Sequence, residues 1–153
     1  MKILLNASII EKGGAKQVAE SVLHELKSYS YINFIVVVSE ELNKTIKKES
    51  YGSNFTFYVI FKKVNQLNNI QKIRQELKKI ESMHLPDMVF TIFGPIFWRP
   101  KSKHITGFAD GWCYNPKSLA FNSLSQFQKL KRKVLSHIKN SILKFSTDFI
   151  IVE

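Results

Sequence analysis

The sequence contains few residues of the kinds that form disulfides or bind metals. Its 153 residues include one cysteine, Cys113, and four histidines. A single cysteine excludes a disulfide within the chain and is typical of a reducing compartment, so we expect a cytoplasmic location. The histidines are scattered and lack the spacing of a zinc site, so we predict neither a metal nor a resident cofactor.

Long hydrophobic runs and acidic residues are also scarce. No apolar run reaches the roughly 18 residues needed to cross a bilayer. The short apolar run at the N-terminus is followed by Glu11 and lacks a cleavage site, which favours a first strand over a signal peptide. Twelve acidic residues stand against 23 Lys and Arg, for a formal net charge of +11. Such an excess attracts nucleic acid, anionic lipid or phosphorylated ligands, or simply reflects a solvated lysine-rich surface.

The apolar residues, 44% of the chain, alternate between two periodicities. Short apolar runs rich in β-branched residues predict strands at 3–5, 32–38, 55–61, 87–93, 104–109 and 148–152. Apolar residues spaced by three and four predict helices at 15–26, 40–49, 67–80 and 123–145. This alternation predicts a Rossmann-like, doubly wound and mostly parallel sheet in three α/β/α layers. We expect residues 1–153 to form a single domain.

Ligands of an open parallel sheet bind beyond the carboxyl ends of its strands. The most informative segment there is Gly13-Gly14, which follows the first strand and precedes a helix. Two glycines let the backbone approach a ligand closely, and a helix N-terminus suits phosphate. The segment is neither a GxGxxG fingerprint nor a P-loop. A plain turn at the entry of a helix is the alternative interpretation.

Three segments carry a resemblance to a known family. IIEKGGAKQVAESVLHEL after the first strand, DMVFTIFGP at the fourth and TDFIIVE at the sixth are similar to the large group-1 family of retaining glycosyltransferases with the two-domain GT-B fold. The resemblance implies the N-terminal, acceptor-side half of an enzyme that moves a hexose from a nucleotide-sugar to a cell-envelope polysaccharide or lipid-linked acceptor. Since the chain ends on a strand, we expect a second, C-terminal α/β domain after Glu153. The alternative is a protein that simply ends in a strand, because termini can be tied into a sheet.

The resemblance also implies roles for particular residues. In that family the glycine loop borders the diphosphate of the donor, so Gly13, Gly14 and Ala15 are the candidate donor-binding residues. The family often has a histidine after the fifth strand, where this chain has Asp110. We predict that Asp110 is catalytic, because a carboxylate there could accept a hydrogen bond from a sugar hydroxyl or stabilise developing positive charge at the anomeric carbon. An Asx turn with Gly111 is the alternative.

An aromatic and basic loop supplies candidate acceptor-binding residues. Trp98 and Trp112 have rings that stack on sugars, and Arg99 has a guanidinium that pairs with phosphate. These three residues are our predicted acceptor site. The alternative is that the loop packs against the core, because aromatic residues often anchor loops.

The last long helix is strongly basic. Between Gly111 and Thr147 the sequence has no acidic residue, and it has seven bases: Lys117, Lys129, Lys131, Arg132, Lys133, Lys139 and Lys144. One interpretation is a peripheral helix that rests on the anionic inner face of the cell membrane. The other is a helix with a buried apolar stripe and a solvated lysine face.

Two other functions compete with glycosyl transfer. A non-catalytic α/β ligand-binding module is one alternative, although Asn6-Ala7-Ser8 lacks the paired acids of a receiver domain and Gly13-Gly14 is a poor flavodoxin phosphate loop. A basic nucleic-acid-binding domain is the other, and it lacks a recognition-helix motif.

Overall fold

A computed structural model describes residues 1–61, 67–110 and 119–152. The strands are β1 (Lys2–Ala7), β2 (Asn33–Ser39), β3 (Phe55–Ile60), β4 (Met88–Thr91), β5 (Lys103–Phe108) and β6 (Phe149–Val152). The helices are α1 (Gly14–Glu25), α2 (Glu40–Asn43), α3 (Leu67–His84), α4 (Leu119–Asn122) and α5 (Gln126–Ser146), with single 3-10 turns at Leu26–Ser28 and Lys48–Ser50.

The strands form one six-stranded sheet in the order β3-β2-β1-β4-β5-β6. All five pairings are parallel, with Leu4 of β1 opposite Ile35 of β2 and Val89 of β4. This order reverses direction beside β1, as in the Rossmann fold, and the predicted Rossmann-like parallel α/β fold is confirmed.

Each face of the sheet has its own core. On the first, which we call the α1 face, Leu5 and Val36 pack with Ala19 and Leu23 of α1. On the second, which we call the α3 face, the alternate strand residues pack with α3. This cluster of buried residues includes Leu4, Ile35, Val37, Ile73, Leu77, Ile80 and Val89. Strands buried on both sides explain why their sequences are continuous apolar runs rather than alternating patterns.

The connection from β4 to β5 crosses the α3 face without a helix. It buries Ile96 and Trp98, which belong to the same cluster as Leu77. Trp98 is 1% exposed, and its ring centroid lies 6.3 Å from that of His104. A loop therefore occupies the position of a crossover helix, and the large Trp98 indole fills space in the core on this face.

Several boundaries differ from the predicted ones, and the largest differences have local causes. The helix predicted at 40–49 ends at Asn43 and is followed by a separate 3-10 turn. The helix predicted from 123 begins at Gln126 because Ser125 caps it: the Ser125 Oγ accepts from the Gln128 N–H at 3.3 Å, and the Gln128 Oε1 accepts from the Ser125 N–H at 3.1 Å. This reciprocal pair is a capping box.

Of the two interpretations of the last helix, the structure does not fit the one in which its apolar stripe is buried. Of α5, only Leu143 and Ser146 are buried, whereas Phe127 is 77% exposed. The four residues of β6 are exposed as well. An amphipathic pattern shows that a helix has an apolar face, but not whether another element covers that face.

The buried indole provides a test of the core. We expect Trp98→Ala to lower the free energy of unfolding by about 3–5 kcal/mol, the usual effect of truncating a buried Trp. Urea denaturation followed by circular dichroism measures this loss. The matched control is Phe97→Ala, since the neighbouring Phe97 is 47% exposed and its truncation should have a much smaller effect. Equal losses in the two variants would contradict the assigned packing.

Candidate functional site

A cleft of about 540 Å³ opens at the carboxyl edge of the sheet. Because all strands run parallel, the loops after β1, β4 and β5 meet at this edge. The first turn of α1, the residues after β4 and β5, and one residue of α5 form the walls, as follows: Gly14, Ala15, Gln17, Val18, Phe93, Gly94, Phe108, Ala109, Asp110 and Lys139. A second hollow, of about 480 Å³, lies on the other side of Ala15 and is also lined by Ile9–Lys12.

The glycine turn at the start of α1 faces open space. Gly13 is the N-cap residue with φ of +72°, a conformation that favours glycine. No side chain caps the first turn, and this turn has no acidic residue. A Cβ added to Gly13 or to Gly14 would meet nothing within 4 Å. The first N–H groups of α1 therefore present a partial positive charge towards a space that an anion can enter.

Buried hydrogen bonds hold the loop that leads to this turn. The Asn6 Oδ1 at the end of β1 accepts from the Ser8 N–H at 3.2 Å and from the Ser8 hydroxyl at 2.7 Å. The Ser39 hydroxyl at the end of β2 donates to the Ile10 carbonyl and accepts from the Leu42 N–H at 3.1 Å. The same Ser39 thus caps α2 and fixes the glycine loop, which ties two strand ends together.

A chain of buried polar side chains continues from Asn6 across the α3 face. The Asn6 Nδ2 donates to the Thr91 Oγ1 at 3.2 Å, and the Thr91 Oγ1 lies 2.7 Å from the His104 Nε2. The other ring nitrogen of His104, Nδ1, bonds to the Ser146 carbonyl at the end of α5. A carbonyl only accepts, so Nδ1 carries the proton and Nε2 accepts from Thr91. The strand end below the glycine loop is thereby linked to α5.

Burial favours the neutral form of His104. Its side chain is buried between β4 and the end of α5, and burial lowers its pKa from 6.5, against a smaller opposite effect of the Ser146 carbonyl. The sequence suggested only that His104 begins a strand. Its polar neighbours are Thr91 on β4 and Thr106 on β5. Only the register between these two strands brings both residues close to the His104 ring.

Asp110, predicted to be catalytic, lies in the cleft beside the glycine turn. Its carboxylate forms an ion pair with the Lys139 ammonium, and the two side chains are 17% and 37% exposed. The structure thus brings Asp110 together with the predicted donor-binding residues Gly14 and Ala15. Sequence reasoning missed the part of Lys139 in this site, because nothing in a run of similar lysines distinguishes the one that points into the cleft.

The predicted acceptor site does not assemble in the cleft. Trp98 is buried in the core and cannot stack on a sugar there. Arg99 lies at the opposite, amino edge of the sheet, where it donates to the Phe145 carbonyl and lies 3.4 Å from the Asp148 carboxylate. The alternative of core packing is the correct one for Trp98. Trp112 lies outside the described residues.

In the described parts of the chain, no three or more His, Cys, Asp or Glu residues are grouped as they would be around a metal ion. Among the helices of those same parts, none has the length and apolarity to cross a membrane.

Comparisons with known proteins add little. The chain matches no known protein family and no curated protein. Among solved structures, a mutant PPC decarboxylase complexed with pantothenoylaminoethenethiol is similar, with a TM-score of 0.41 and 13% identity over 99% of this chain and 80% of that chain. A similarity of this size carries no argument about function.

The neutral, buried His104 predicts a pH dependence of stability. The unfolded chain protonates this residue near pH 6.5, whereas the folded chain does so only at lower pH. The unfolded state therefore binds more protons below pH 6.5, and stability falls as the pH drops, by up to about 1.4 kcal/mol per pH unit from this residue. Urea midpoints between pH 7.5 and 5.5 measure the slope.

We expect His104→Gln to flatten this slope, and the exposed His24 offers the control. His24→Gln should keep the slope of the parent protein, since the His24 side chain is 74% exposed. An unchanged slope in His104→Gln would show that another group is responsible.

Proposed function

We propose that this chain is the N-terminal domain of a retaining glycosyltransferase and that its cleft receives the diphosphate of a nucleotide-sugar. The observation that carries the proposal is the open glycine turn Gly13-Gly14, whose Gly14 lines the same cleft as Asp110 at the carboxyl edge of a parallel sheet. This is the place where open α/β sheets bind ligands, and a helix N-terminus with glycines is a suitable phosphate site.

The charges around the cleft fit an anionic group. The uncapped N-terminus of α1 carries a partial positive charge, and the Lys139 ammonium, which is paired with Asp110, lies in the same cleft. In glycosyl transfer the diphosphate leaves as an anion while the anomeric carbon becomes cationic. Hydrogen-bond donors at the glycine turn would stabilise the negative charge of the diphosphate. The Asp110 carboxylate would stabilise the positive charge at the anomeric carbon.

A second candidate function, a non-catalytic ligand-binding module, is favoured by one observation. The Asp110 carboxylate is already paired with Lys139, so part of its charge is neutralised. A site that only binds a ligand does not require an unpaired carboxylate. The two candidates differ in the ligand: a transferase domain should bind a nucleotide-sugar and the matching nucleoside diphosphate at one site, whereas a flavin-binding module should prefer FMN.

The glycine turn can be tested with UDP as a probe, by nuclear magnetic resonance titration of this chain. We expect Gly14→Val to weaken UDP binding by about 10- to 100-fold, because hydrogen bonds to charged groups contribute about 1.5–3 kcal/mol. A Cβ at Gly14 would meet no protein atom within 4 Å, so the fold should persist. The control is Ser21→Val on the exposed side of α1, which should leave binding unchanged.

The same titration separates the functions. Competition between UDP-glucose and UDP at the glycine turn supports a transferase domain. Binding of FMN, with no binding of UDP or UDP-glucose, would overturn it in favour of the module. Binding of UDP that survives Gly14→Val would remove the glycine turn from the proposal.

The ion pair in the cleft predicts two changes of opposite sign. We expect Lys139→Gln to weaken UDP binding about threefold, the effect of losing one partly exposed charge. Asp110→Asn should strengthen it by a similar factor, because the Lys139 ammonium loses the carboxylate that competes with the diphosphate. Isothermal titration calorimetry measures both. Equal weakening in the two variants would show that the pair acts only by maintaining the local structure.

A further inference from the structure

Helix α5 carries an apolar stripe that the rest of the described chain does not cover. Its members recur at spacings of three, four and seven, which places them on one side of the helix. All are substantially exposed: Phe127 by 77%, Leu130 by 61%, Val134 by 50%, Ile138 by 48% and Phe145 by 65%. An apolar strip of this length on a surface marks a site of interaction.

The attachment of α5 keeps this stripe directed away from the sheet. The helix is buried only near its C-terminal end, at Leu143 and Ser146, and the Ser146 carbonyl bonds to the buried His104. At 100° per residue, Leu143 lies about 160° and Ser146 about 100° from Phe145 around the helix axis. The side that packs on the protein is therefore not the side that bears the stripe.

Positive charge borders the stripe. The bases of α5 are Lys129, Lys131, Arg132, Lys133, Lys139 and Lys144, and the helix contains no acidic residue. Lys131 lies about 40° from the centre of the stripe. Lys133, Lys139 and Lys144 lie about 100–120° from it, and Lys129 and Arg132 lie about 140–160° from it. Aliphatic stems of lysines at such positions extend along an apolar surface while their ammonium groups reach outwards.

We propose that α5 docks this protein on an anionic lipid bilayer, with the stripe between Phe127 and Phe145 inserted at the level of the headgroups. The charge complementarity favours this occupant: an apolar face bordered by cations and free of acids matches a surface that is apolar within and negative at its boundary. The helix lies in the plane of the membrane, since it is not apolar enough to cross it. The proposal depends on α5 alone and not on the function of the cleft.

Other occupants match fewer of these features. A second copy of the chain would place two acid-free, basic α5 helices against each other, and like charges repel at such a distance. A nucleic acid would engage the lysines but has no use for the apolar stripe, because phosphate contacts dominate such binding.

Co-sedimentation with vesicles of phosphatidylcholine and phosphatidylglycerol tests the proposal. We expect binding to mixed vesicles and little binding to pure phosphatidylcholine vesicles. Lys131→Gln with Lys133→Gln should lower the partition coefficient by more than about tenfold, since each base near such a surface contributes about fivefold. Leu130→Ser with Val134→Ser should lower it at least as much. These side chains are exposed, so the fold should persist.

Matched variants on other surfaces serve as controls. Lys78→Gln with Lys79→Gln removes two exposed lysines of α3, and Phe61→Ser removes an exposed apolar residue. Neither should alter vesicle binding by more than about twofold, because none of these residues belongs to α5. Equal losses in the control and α5 variants would overturn the proposal, as would equal binding to neutral vesicles.

A fluorescent probe gives a readout that lost folding cannot imitate. We expect Phe127→Trp to show a blue shift of tryptophan emission when anionic vesicles are added, beyond any shift of the parent protein with its native Trp98 and Trp112, and Phe61→Trp to show no such excess. Self-association that requires the stripe, without vesicle binding, would assign the surface to a second copy instead. Binding to a DNA duplex that survives Leu130→Ser with Val134→Ser, without vesicle binding, would assign it to nucleic acid. Either result overturns the proposal.

Discussion

The parallel pairing of β1 with both of its neighbours is the constraint on which the rest of the structure depends. β1 lies between β2 and β4, and its side chains alternate between the cores of the α1 face and the α3 face. A slip of one residue in its register would exchange these side chains between the two faces. The same pairing fixes where β1 ends, and therefore where the glycine loop emerges. The cleft is thus a consequence of the central strand rather than of the loops alone.

The hydrogen bonds below the cleft extend this constraint to the far side of the sheet. Asn6 connects the loop after β1 to Thr91, and Thr91 connects to His104 and so to the end of α5. Buried polar groups of this kind need partners at defined positions, so they specify one arrangement of the strands. The glycine turn and Lys139 therefore face each other across the cleft in a fixed relation, although they belong to the first and last helices of the described chain.

The sequence was sufficient to predict the elements that depend on local periodicity. The apolar run from Ile32 to Val38 predicted a strand covered on both faces, and β2 occupies nearly that range. The Gly13-Gly14 turn was also predictable, because glycine pairs before a helical pattern have few other uses. Asp110 was placed correctly at the carboxyl edge because it follows a strand in a parallel sheet.

Features that depend on contacts between distant residues were not predictable in the same way. Trp98 belongs to the core because the connection from β4 to β5 crosses the α3 face, a path that no local pattern reveals. The position of Arg99 at the amino edge follows from the same path. The stripe of α5 was recognised, but its exposure depends on how few residues of that helix reach the sheet. Lys139 is distinguished from its neighbouring lysines only by its partner.

The outermost strand has a consequence for how the protein behaves in solution. Within the described residues β6 is an edge of the sheet, and its four apolar residues are 45–61% exposed. The outer side of such a strand offers backbone N–H and C=O groups to any further strand, including one from another molecule. Repulsion between chains of net charge +11 opposes this addition. Because salt screens that repulsion, low ionic strength should keep the protein dispersed and high ionic strength should promote growth of the sheet between molecules.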